Sequence, residues 1–157
     1  MKLAIALYIL SMTVANLLVS QFGPAISPIL AFFLIGLDLS LRDYLHERMR
    51  ALQMFAMISV GGILTYLLNP AAGLIAVASA AAFTTAALID WAVFVRMPGA
   101  WMRRANASNV AGAAIDSFVF PTIAFGVLMP QIILLQFAAK VSGGAVWAWG
   151  INRYIRA

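Results

Sequence analysis

Four ionisable side chains, Asp38, Asp90, Asp116 and Lys140, each fall inside a long apolar run. The segment NVAGAAIDSFVF, Asn109 to Phe120, is the sharpest case, because no lysine or arginine occurs between Arg104 and Lys140. A charge at mid-membrane costs roughly 2.5–3.5 kcal/mol. Such groups therefore face a watery cavity, one another or a ligand. At helical spacing Asn109, Gly112, Asp116 and Phe120 share one stripe, which offers an amide, a gap, a carboxylate and a ring. Gln136 and Lys140 share a face further on, with Trp147 beyond them and Gly143 and Gly144 thinning the same region. Three acids against one lysine leave negative charge unpaired inside the membrane. That set suits a polar, donor-rich or cationic solute, or protonation of one acid.

Pairing without any ligand competes with this reading. Asp116 with Lys140 can lock helix register as a buried ion pair. Asp38 can pair with Arg42 one turn on. Asp90 precedes Arg96 but does not share its helical face. Pro121, directly after Phe120, removes a helical bond to the Ser117 carbonyl and predicts a kink beside Asp116.

The elements that hold these residues follow from composition. The chain has 157 residues, 64% hydrophobic and 10% charged. Soluble domains are about half apolar and roughly a quarter charged, and the mean hydropathy here is +0.99. An all-α membrane protein is predicted, one domain over residues 1–157, with six transmembrane helices at about 3–22, 24–41, 51–68, 71–95, 112–129 and 131–151. Prolines 24, 70, 98 and 130 mark boundaries. Barrel-type alternation is absent. The first span is longer than a signal-peptide core and is read as a retained helix.

With six spans the basic residues segregate. Lys2, then Arg42, Arg48 and Arg50, then Arg96, Arg103 and Arg104, then Arg153 and Arg156 all fall on one side. The positive-inside rule makes the N- and C-termini cytoplasmic, in a multi-pass protein of the inner (cytoplasmic) membrane. The net charge of +5 is thereby read as topology and headgroup contact rather than nucleic-acid binding. There is no cysteine, and His46 is the only histidine, read as a solvated loop residue. No metal-ligand set, P-loop, Gly-x-Ser-x-Gly elbow or dinucleotide fingerprint is present in the sequence. No catalytic residue and no cofactor is expected, and the protein is not read as an enzyme.

Five motifs in chain order then converge: Ala15-Asn16, GLDLSLRD from Gly36 to Asp43, ALID followed by VF from Ala87 to Phe94, SNVAGAAIDSFVF from Ser108 to Phe120, and QFAAKV around Lys140. Together they resemble the VUT family of vitamin uptake transporters, also called queuosine-precursor transporters. The resemblance covers most of the chain. It implies a six-helix inner-membrane importer of a 7-deazaguanine, a precursor of the modified tRNA base queuosine. The matched polar positions are Asn16, Asp38, Arg42, Asp90, Ser108, Gly112, Asp116 and Lys140. Family members carry amide side chains at two positions where this chain has Ala87 and Ala113.

A guanine-like edge presents adjacent N–H donors that suit a carboxylate, and Phe120 or Trp147 can stack on a flat heterocycle. The expected substrate-binding set is Asn16, Asp38, Arg42, Asp90, Asn109, Asp116, Phe120, Gln136 and Lys140. In it Asp116 and Asp90 hold the solute, Lys140 balances their charge, and Asp38 and Arg42 shape the cytoplasmic exit. Proton coupling and facilitated diffusion are both compatible with this set, and homo-oligomerisation is left open. The alternatives are a substrate-capture subunit of an ATP-driven vitamin importer, uptake of another nucleobase or vitamin-like solute, and a non-transporting scaffold whose charges only lock helices.

Overall fold

The computed structural model describes residues 1–155; Arg156, counted above among the basic residues on one side, lies outside the described residues. Its elements are helical throughout: α1 (Lys2–Phe22), a 3-10 turn (Pro24–Ile26), α2 (Ser27–Leu30), a π-helical turn (Ala31–Ile35), α3 (Gly36–His46), α4 (Ala51–Leu68), a 3-10 turn (Pro70–Ala72), α5 (Gly73–Arg96), α6 (Trp101–Phe125) and α7 (Pro130–Tyr154). Six segments are long and apolar enough to cross a membrane, the second running from Pro24 through α3 to His46. The protein is a multi-pass membrane protein.

Each helix buries a stripe and turns the rest outward. On α4 the buried residues are Met54, Met57, Ile58, Gly61 and Thr65, steps of one, three or four that keep to one face. Leu52, Phe55, Ile63, Leu67 and Leu68 cover the outer side. In hydrocarbon that outer side costs nothing, so association depends on close packing and small residues. The tightest partnership is α5 with α6. Ala78, Ser79, Ala82 and Ala86 on α5 meet the stripe of Ala105, Ser108, Asn109, Gly112, Ala113, Asp116 and Ser117 on α6. Gly112 is needed there: a Cβ at that position would stand 3.3 Å from Asp90 Cβ and Oδ1. A second close approach joins α3 to α7, where a Cβ on Gly36 would sit 2.7 Å from the Gly143 carbonyl carbon. Ser40 Oγ donates to the Gly144 carbonyl at 2.8 Å across the same seam.

Three spans differ from hydropathy at their ends. The second span runs past Leu41 to His46. The fifth starts at Trp101 rather than Gly112, and ends at Phe125 rather than Met129 because Gly126 takes a left-handed conformation, φ 69°, that closes the helix. The sixth continues beyond Ile151 to Tyr154. The extra turns are polar, and hydropathy counts them as loop. Some of their polar side chains point into the bundle instead: Arg42, Asp43 and Ser108 are fully buried, whereas Arg103, Asn152 and Arg153 are exposed. Arg42 is therefore not a loop residue, and Arg103 and Arg104 begin α6. Pro121 lies within α6, whose helix continues through it to Phe125.

Candidate functional site

The predicted site residues separate into two groups. The first surrounds a cavity lined by Asn16 and Val19 of α1, Ser27 and Leu30 of α2, Ser79 and Phe83 of α5, Asp116 and Phe120 of α6, and Gln136 and Lys140 of α7. Five of the nine expected residues meet here: Asn16, Asp116, Phe120, Gln136 and Lys140.

Lys140 organises this group. It is 1% exposed and approaches Asp116 Oδ2 at 2.6 Å. Its ammonium also donates to Gln136 Oε1 at 2.8 Å and to Ser117 Oγ at 3.1 Å. Three donors meet three acceptors, so the lysine is fully satisfied. Gln136 passes the chain on, donating from Nε2 to Ser27 Oγ at 2.9 Å. Asn16 donates to Thr65 Oγ1 at 3.3 Å. One atom of the group is left over: Asp116 Oδ1 is buried and accepts no hydrogen bond. A carboxylate taking two solute donors on two free oxygens, as the sequence suggested, is therefore reduced to one free oxygen while Lys140 holds the other. The cavity itself is contracted, with about 20 Å³ open to the centre of a water-sized sphere. That holds one water and is far below the ~300–1,000 Å³ of a ligand pocket.

The second group lies at the end of the bundle carrying the α3–α4 and α5–α6 connections. Asp38 and Arg42 form a buried ion pair at 3.2 Å, both 0% exposed, with the guanidinium carbon 5.6 Å from the centre of the Phe83 ring. Asp90 is not in the cavity with Asp116. It faces His46, whose Nδ1 is 3.8 Å from Asp90 Oδ2. His46 is thus no solvated loop residue: its side chain is 9% exposed, because α3 extends a turn further and carries it inward. Asn109 lies apart from the cavity lining, donating to Ser40 Oγ at 3.5 Å, with Gly144 beside its amide. Trp147, the alternative stacking ring, lines an outward crevice with Leu7, Trp149 and Tyr154 and does not reach the cavity.

Sequence reasoning passed over three residues of these clusters: Ser117, Asp43 and His46. Ser117 directly follows Asp116 and completes the cradle of Lys140. Asp43 and His46 sit at i,i+3, which puts both on one helical face once the second span is allowed another turn.

A family model described as "Putative vitamin uptake transporter" matches residues 2–151. No curated protein and no solved structure matches the chain. The family match spans all six membrane helices and both polar groups, and the chain belongs to the vitamin uptake transporter family.

Proposed function

We propose that the protein imports a 7-deazaguanine-type purine analogue, a queuosine precursor, across the inner membrane, with both termini in the cytoplasm. The observation that carries this reading is the free, buried Asp116 Oδ1 in a cavity that Phe120 also lines. An unpaired carboxylate oxygen in such surroundings is costly. A solute N–H relieves that cost, and the ring of Phe120 offers a flat apolar surface to the heterocycle that bears it. Lys140 holds the other oxygen of Asp116 and fixes its orientation. Gln136 ties Lys140 to Ser27, so the second span and α7 are linked through the same network.

The contracted cavity gives the mechanism its shape. Loading requires the second span and α7 to part, breaking the Gln136–Ser27 bond, and closing restores it around the solute. Such gating is a population shift between two packed arrangements.

The test is uptake of a labelled 7-deazaguanine precursor into cells lacking their own carrier, and into liposomes holding the purified protein alone. We expect uptake in both, with Asp116→Asn lowering it about tenfold or more, the scale of one charge-assisted hydrogen bond worth ~1.5–3 kcal/mol. Absence of wild-type uptake, or undiminished uptake by the variant, removes the reading. Uptake by cells but not by liposomes points to a subunit of an ATP-driven importer instead.

A further inference from the structure

Asp43, His46 and Asp90 each present a ligand atom, and these atoms lie within 4.8 Å of one another. Asp43 and Asp90 are 0% exposed, and the His46 side chain is 9% exposed. The Nδ1 of His46 is buried without a hydrogen-bond partner. Asp43 and Ser108 are neighbours of Asp90 within hydrogen-bonding reach of its carboxyl group. The cluster is therefore more than an acidic patch: a buried, unpartnered imidazole nitrogen stands beside two carboxylates.

Charge sharpens the argument. Arg42 is engaged by Asp38 at 3.2 Å. Among the described residues no lysine or arginine nitrogen lies within 4.0 Å of Asp43 or Asp90. Two neighbouring carboxylates thus have only the nearby charge of Arg42, which pairs directly with Asp38 and with neither of them. A dication would neutralise both formally, and an imidazole nitrogen is already present as third ligand.

We propose that Asp43, His46 and Asp90 form a binding site for a divalent transition-metal ion of the zinc type, separate from the Asp116 cavity. Two carboxylate oxygens and one imidazole nitrogen form an O/N donor set that zinc accepts, with a fourth position left for water. Calcium and magnesium favour oxygen-only shells. Ligand atoms around a tetrahedral zinc ion stand about 3.4 Å apart, so seating it draws atoms now within 4.8 Å of one another together by up to about 1.4 Å. Ser108 supplies the outer support, donating to Asp43 Oδ1 at 3.1 Å and Oδ2 at 3.0 Å. His46 lines a lateral cavity with Met54, Phe55, Thr84, Ala87 and Trp91, and about 200 Å³ of it is open to the centre of a water-sized sphere. The ligands come from α3 and α5, so the bound ion would staple the second span to the fourth.

The experiment uses the purified full chain, stripped with chelator and titrated with Co²⁺ while visible absorption is recorded. We expect a saturable ligand-field band at one ion per chain, displaced by stoichiometric Zn²⁺ and not by excess Mg²⁺. His46→Gln and Asp90→Asn should each weaken Co²⁺ binding at least about tenfold. Ser108→Ala, which removes only a hydroxyl, should weaken it about 10–100-fold as an outer-shell change, and it keeps the test valid if a ligand variant fails to fold. Asp116→Asn should bind Co²⁺ as the parent does, whatever its uptake, so this result is independent of the transport reading. No saturable band, or unchanged binding in both His46→Gln and Ser108→Ala, overturns the proposal and leaves protons to neutralise the carboxylates.

Discussion

Lys140 meets three acceptors with three ammonium hydrogens, and removing it strands Asp116 as a lone buried charge. Breaking a buried pair from one side costs about 3–5 kcal/mol, whereas replacing both partners by apolar residues is often neutral. We therefore expect Lys140→Met to lower the thermal unfolding midpoint of the purified protein sharply. The double variant Asp116→Leu, Lys140→Met should recover most of that loss. Uptake should stay lost in both, and recovery of uptake by the double variant would mean that the pair serves register alone. The two candidate rings divide in the same way. Phe120→Ala should weaken solute uptake severalfold, the scale of a ring contact worth ~0.5–1.5 kcal/mol. Trp147→Ala should leave uptake unchanged, since that ring sits in an outward crevice. The sequence made the Asp116–Lys140 relation readable because no other basic residue was near in sequence. It did not show that one carboxylate oxygen is already taken. Side-chain stoichiometry of that kind depends on Ser117 and Gln136 converging from two helices, and a stripe on one helix carries no such information.

At the level of helices, backbone contact between α3 and α7 sets what the seam tolerates. A Cβ at Gly143 would run into the Phe32 carbonyl, and one at Gly36 into the backbone of Gly143 and Gly144. Neither neighbour is a flexible side chain that can swing away. We expect Gly143→Ala and Gly36→Ala to be destabilising by about 1–3 kcal/mol or more, the usual result of overpacking. Gly150→Ala should be silent, because nothing lies within 4 Å of its added methyl. Yield of monodisperse protein on size-exclusion chromatography distinguishes the two classes, and equal yields would mean the seam is loose. The same seam explains which helix ends were predictable. Proline at the start of α7 and of the turns before α2 and α5 marks boundaries that sequence alone located. The ends of α3 and the start of α6 were misjudged, because a hydropathy scale assigns Arg42, Asp43, Asn106 and Ser108 to water. A bundle interior that pairs polar groups admits them, and no single-segment average contains that fact.

Over the whole molecule the reading of six apolar spans held, since it rests on the length and composition of each span rather than on partners. The grouping of polar residues was only half visible. Sequence order suggested one site, whereas the packing of α5 against α6 and of α3 against α7 makes two, one around Lys140 and one around Asp90. The narrow interior around Asp116 has a further consequence for the cell. With space there for a single water, the Asp116 cavity has no room for a file of solvent along which ions or protons could hop, so this part of the bundle acts as electrical insulation. We expect planar bilayers carrying the purified protein to stay silent, with no unitary currents under an applied voltage. High expression should likewise leave the membrane potential of its host intact, and discrete current steps would mean that the resting interior is an open conduit.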